Sequence, residues 1–134
     1  MYFNGDGVAQ NYAEAMRWYR LAADQGLAWA QYNLGLMHEN GRGVVQDYAE
    51  GVRWYRLAAE QGLADAQAKL GVMYFNGDGV LQDYVLAHMW FNIASANGNP
   101  NGGPNRDIVA RSMTADQIAE AQRLAREWMA AHPN

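Results

Sequence analysis

YAEAMRWYRLAA at residues 12–23 recurs as YAEGVRWYRLAA at residues 48–59, and more loosely from Tyr84. The spacing is 36 residues, and residues 12–47 agree with residues 48–83 at 25 of 36 positions. Trp18, Trp54 and Trp90 keep the register. So do Gly26, Gly62 and Gly98, and the loops NGDGV at 4–8, NGRGV at 40–44 and NGDGV at 76–80. A unit of this length is one supersecondary element that cannot bury its apolar face alone, so the units must stack. In such a stack, function lies on a surface rather than in a catalytic pocket.

Within each unit the pattern reads as two helices. Asn11, Asp47 and Asp83 are residue types that cap a helix N-terminus, because a short side-chain acceptor meets the free backbone N–H groups. Glu14 and Glu50 stand three residues on, as a capping box requires, whereas the third unit has Leu86 there. Gly26, Gly62 and Gly98 suit the left-handed position that ends the first helix. The second helix is expected from about Ala28 to His38 and from about Ala64 to Tyr74. It carries Gly35 and Gly71 in mid-helix, where glycine costs ~1 kcal/mol against alanine. The repeated register suggests close approach of two helix backbones.

The third unit departs at Asn99, where NPNGGPN at 99–105 is a run of turn formers. A short helix is expected from about Arg106 to Ser112. Thr114 and Gln117 then form a capping box, followed by an apolar stripe of Ile118, Ala121, Leu124, Ala125, Trp128 and Met129. The chain divides into the end of a preceding unit at 1–11, units at 12–47 and 48–83, a divergent terminal unit at 84–113 with the insertion 99–105, and a capping helix at 114–134. Residues 1–10 nearly duplicate residues 73–82. The chain is therefore expected to begin inside a longer array, with uncovered apolar surface at that end and any targeting segment upstream.

With 134 residues there is room for one self-sufficient core, and with no cysteine there are no disulfides or cysteine-based metal sites. A net charge of −4 argues against nucleic acid as the main partner. No apolar run approaches the ~20 residues that span a bilayer.

The pattern Ala49, Trp54, Tyr55, Ala58, Ala59, Gly62, Ala66, Leu70, Gly71, Tyr74, Gly77, Gly79, Val80 resembles the Sel1-like repeat, a relative of the tetratricopeptide repeat. The preceding unit matches at the same register except for His38 in place of the tyrosine. The tail from Asn105 to Ala125 looks like the terminal element of bacterial members. The resemblance implies an α-solenoid that serves as an adaptor in protein complexes, with no shared catalytic residues. It leaves the compartment open between bacterial cytoplasm and periplasm.

Candidate chemistry is sparse. The Gly-x-Gly loops follow a helix and lack the phosphate-loop spacing, so they read as turns. Asp6 and Asp78 give one carboxylate per loop, far short of calcium's ligand set, and Arg42 replaces them in the middle copy. His38, His88 and His132 have no metal-ligand spacing. Ser95, Ser112 and Thr114 lie in no nucleophile motif. The repeated Trp18, Trp54, Trp90, Tyr19 and Tyr55 read as glue between units.

Differences between units are more informative, since packing constrains those positions less. Trp29 corresponds to Asp65 and Tyr32 to Ala68. They lie three apart on one helix face, and an aromatic in place of a charged or small residue is expected to be partly exposed. Arg17, Arg20, Arg53 and Arg56 form a second set on the polar side of the first helix. Aromatic and arginine side chains are favoured at interface hot spots. Ion pairing of Arg17 with Glu14 and Arg53 with Glu50 on a solvated face is the plain alternative.

The sequence therefore points to an all-α fold, a right-handed α-solenoid of antiparallel helix pairs with a C-terminal capping helix. Its expected function is that of a non-catalytic scaffold that binds a peptide or protein through Arg17, Arg20, Trp29, Tyr32, Arg53 and Arg56. No cofactor, metal, nucleic acid or membrane insertion is called for, and a homodimer through the open N-terminal end is expected. The alternative is a purely structural segment of a longer array; a hydrolase is the remote one.

Overall fold

Aspartates and glycines punctuate this chain into helices, and the computed structural model follows that punctuation. It describes the backbone of residues 5–133 and the side chains of residues 11–133. Among the described residues the elements are α1 (Gly5–Asp24), α2 (Ala28–Asn40), α3 (Tyr48–Glu60), α4 (Ala64–Asn76), α5 (Tyr84–Ala96), α6 (Gly102–Ala110) and α7 (Ala115–Ala131), with no strand. The Asp47 carboxylate accepts the Glu50 N–H at 3.1 Å, and Asp83 accepts that of Leu86 at 3.0 Å. The cap therefore forms equally well where the glutamate is missing. Thr114 and Gln117 make the full reciprocal box. Gly26, Gly62 and Gly98 all have positive φ, as the helix ends demand.

From α1 to α6 each helix packs against the next, α2 most extensively with α3 and α4 with α5. Gly35 and Gly71 lie at these contacts, but the close approach differs from the expected one. It is chiefly an aromatic ring that meets the glycine backbone, Tyr55 at Gly35 and Phe91 at Gly71. Between α2 and α3 backbone also meets backbone at Gly51, where a β-carbon would stand 3.2 Å from the Gly35 carbonyl oxygen.

A glutamine ladder ties the units further. Gln67, fully buried, donates to the Ala59 carbonyl at 3.1 Å and accepts from Asn97 at 2.9 Å. One unit earlier Gln31 donates to the Ala23 carbonyl at 3.4 Å and accepts from Gln61 at 2.8 Å.

Three expectations need correction. Asn11 caps nothing, because α1 runs on from Gly5 through the expected loop 4–8. The later loops are held against a preceding helix: a β-carbon on Gly79 would stand 2.6 Å from the Tyr48 backbone, and one on Gly43 would stand 3.0 Å from that of Tyr12. Residues 5–8 have no such helix before them in this chain and join α1 instead. The expectation for Met1, Tyr2 and Phe3 lies outside the described residues. Next, α6 begins at Gly102 rather than Arg106. Pro104 falls in its first turn, where no N–H is needed, and Gly102 abuts α5, with room for no β-carbon against Phe91 O and Ser95 N. Finally, Trp18 is 68% exposed while Trp54 and Trp90 are 6% and 3% exposed. Trp54 clusters with Ala23, Ala30 and Leu34 of α1 and α2, and Trp90 meets Trp128 of α7, whereas among the described residues no large side chain covers Trp18.

α7 caps the stack by folding back onto α5 rather than following α6. Ala121 and Ala125 are fully buried there. Trp128 meets Trp90 edge-on, with ring centres 5.6 Å apart. His132 stacks on Trp128 at 3.9 Å, and its Nε2 lies 3.2 Å from Glu60 at the end of α3.

Candidate interaction surface

The second helices of two units, α2 and α4, present one mixed face. Trp29, in the first turn of α2, is 52% exposed and rests edge-on against Tyr19 of α1, ring centres 5.9 Å apart. One turn on, Tyr32 is half-buried, with its ring 5.7 Å from that of Tyr55. The Tyr55 hydroxyl donates to Glu39 at 2.5 Å, and Lys69 of α4 lies 3.3 Å from the same carboxylate. Asn99 donates to Asp65 at 3.0 Å. Burial, and then the Asp65 and Glu39 carboxylates, raise the Tyr32 pKa, so its phenol stays a donor. The face combines aromatic area, a phenolic donor, two carboxylates and the chain's single lysine. That set suits stacking and hydrogen bonding to a polypeptide.

The arginines stand elsewhere. Arg17 pairs with Glu14 at 2.6 Å and Arg53 with Glu50 at 3.5 Å, with both arginines largely exposed. Pairs of this kind contribute ~0–1 kcal/mol. The Arg20 guanidinium lies over the Trp54 ring, 5.6 Å from its centre. Arg56 donates to the Tyr74 hydroxyl at 2.6 Å. None of these contacts reaches Trp29 or Tyr32, so the two predicted groups do not merge into one patch. The sequence reading passed over Tyr19, Glu39, Asp65, Lys69 and Asn99 as members of the face. The signal it lacked was the contact between units, since Asp65 and Asn99 are 34 residues apart.

Among the described residues no group of three or more His, Asp or Glu side chains is gathered to hold a metal ion, and no helix is long and apolar enough to cross a membrane. His38 and His88 are core residues: both are buried, with no hydrogen-bond partner for either ring nitrogen of His38 or for Nδ1 of His88.

The Sel1 repeat profile matches residues 1–27, 30–63 and 64–99. The chain belongs to the Sel1 repeat family. The matched Sel1 segments 30–63 and 64–99 pair α2 with α3 and α4 with α5, the helices with the most extensive contacts. Two solved structures are similar. One is c5321, a protective antigen of uropathogenic Escherichia coli strains displaying an SLR fold, 41% identical over 90% of this chain with a TM-score of 0.87. The other is a Sel1 repeat protein from Oxalobacter formigenes, 31% identical over 89% of this chain with a TM-score of 0.72. This chain spans 26% of the first and 50% of the second. Nothing among the curated proteins matches it.

Proposed function

We propose that this Sel1 repeat chain is a non-catalytic scaffold that holds a peptide or protein segment on the α2–α4 face. The observation that carries the reading is Trp29, half exposed at a register where the sister unit has Asp65. A large aromatic held by Tyr19, beside a partly open tyrosine, offers a rigid anchor of the kind hot spots use. Arg17, Arg20, Arg53 and Arg56 belong to a separate basic face, open to the same partner or another. Affinity capture from a bacterial extract tests the reading, with the wild-type chain and the Trp29→Ala and Tyr32→Ala variants as baits of equal melting temperature. A protein held by the wild type and lost from both variants supports it. Identical captures from all three contradict it.

A second reading, a structural segment of a longer array, is favoured by one observation. Trp18 stands open where its two counterparts are buried, Trp54 against α1 and α2 and Trp90 against α7. Another copy of this chain is the alternative cover, giving a homodimer through the α1 end.

A further inference from the structure

The seat that α7 occupies recurs one unit earlier without an occupant. At the end of α7, Trp128 lies on Trp90 and His132 faces Glu60. The hollow beneath them is closed by Gln61, Gly62 and Asn97. Each protein group of that seat has a counterpart 36 residues before it. Trp54 stands for Trp90 and Asp24 for Glu60; Gln25, Gly26 and Gln61 stand for Gln61, Gly62 and Asn97. Among the described residues no helix lies on α3 as α7 lies on α5. The burial follows: Ile93 on α5 is fully covered, whereas its counterpart Leu57 on α3 is 47% exposed. Among the described residues Asp24 forms no ion pair. On α1, a hollow of about 400 Å³ is lined by Met16, Arg17, Arg20 and Leu21.

Arg20 covers the Trp54 ring in place of a helix. Its counterpart Arg56 lies against Tyr74 instead, bonded to the hydroxyl and 5.9 Å from the ring centre, which leaves Trp90 to Trp128. Arg20 has His38 where Arg56 has Tyr74, and the His38 nitrogens bond nothing. The guanidinium therefore rests on the indole, a contact that a partner's aromatic ring can replace while the exposed arginine turns to water.

We propose that the face of α1 and α3 around Trp54 is a docking seat for an amphipathic helix of a protein partner, laid as α7 lies on α5. The partner helix places small residues against α3 and a tryptophan on the Trp54 ring. A histidine or basic residue four positions later faces Asp24. This rests on the reading of the chain as a protein-binding scaffold and gives it a second, chemically defined surface.

The test is titration of the full chain with a synthetic peptide of residues 114–133, the sequence of α7, followed by amide NMR. The peptide is expected to bind with a Kd on the order of 10–100 µM, shifting Asp24, Gly26 and Leu57 but not Ile93 or Gly98. Leu57→Asp, on an exposed position that leaves folding intact, weakens binding about tenfold or more. A peptide carrying Trp128→Ala does not bind. His38→Tyr, which gives Arg20 the partner that Arg56 has, tightens binding. Shifts confined to Ile93 and Gly98 mean exchange with the chain's own α7 and overturn the proposal, as does a dimer built by exchange of α7 between copies. No binding at about 1 mM overturns it too. Capture through Trp29 and Tyr32 is read separately, so either reading can fail alone.

Discussion

The ring of Tyr55 lies directly on the backbone of Gly35: a β-carbon on that glycine would stand 2.5 Å from the ring. Phe91 repeats the relationship on Gly71 at the same distance. Each glycine forgoes ~1 kcal/mol of helix propensity against alanine. Full burial of an aromatic side chain contributes ~1.5–3 kcal/mol, and Tyr55 and Phe91 are both buried. The trade favours glycine, and the second copy shows that it is part of the unit's construction.

Gly71→Leu is therefore expected to lower stability by ~1–3 kcal/mol or more through overpacking. Even Gly71→Ala should lose stability, although alanine is the better helix former. Urea denaturation measures both, and a raised midpoint for either contradicts the ring-on-glycine account.

The stack itself was legible because its signals recur: the period, the aspartate caps and the glycines with positive φ each stand at two or three registers. The role of Gly35 was half legible. The sequence pointed to a close approach, but whether backbone or ring made it depended on where the Tyr55 side chain pointed. The start of α6 was hidden because Pro104 and two glycines read as turn formers, whereas a first helical turn accepts all three. That α7 caps the stack was legible, but its seat on α5 beside Glu60 was hidden for a different reason. The His132–Glu60 contact joins residues far apart in sequence and occurs once, so no repeat announces it. At the candidate surface, the contrast of Trp29 with Asp65 was visible in the sequence. Its neighbours Glu39 and Lys69 were not, because they meet across two units.

Acid should weaken this fold. Burial lowers the pKa of His38 and His88 below the ordinary imidazole value near 6.5. At His38, Arg20 and Arg53 add to the lowering while Glu50 and Asp47 oppose it; at His88, Arg106 lowers and Asp107 opposes. The folded chain then binds fewer protons than the unfolded chain between the two pKa values. The stabilisation is complete above about pH 6.5 and is lost as pH falls through the folded values. Thermal melting between about pH 7.5 and 5 should show a falling Tm, with a smaller drop in His38→Tyr. An equal drop in wild type and variant contradicts the assignment to His38.

The last helix should be held chiefly by its tryptophan. Trp128→Ala is expected to cost about 2–4 kcal/mol and to speed hydrogen exchange along α7. Glu60→Gln removes only a half-exposed pair and should cost under ~1 kcal/mol. If Glu60→Gln is the costlier change, the Glu60–His132 contact rather than the indole fastens α7.

The open face of α1 should find cover. Sedimentation from micromolar to millimolar concentration is expected to show dimerisation, the cheapest burial for a surface like that around Trp18. Trp18→Asp should abolish it. A clean monomer at the highest concentration contradicts this expectation.

The central claim is that the chain works by holding a protein partner on the α2–α4 face. Calorimetric titration of a purified captured partner with wild type, Trp29→Ala and Trp18→Ala tests it most directly. The account predicts that Trp29→Ala weakens binding about tenfold or more while Trp18→Ala leaves it unchanged. Equal affinity of wild type and Trp29→Ala would contradict it.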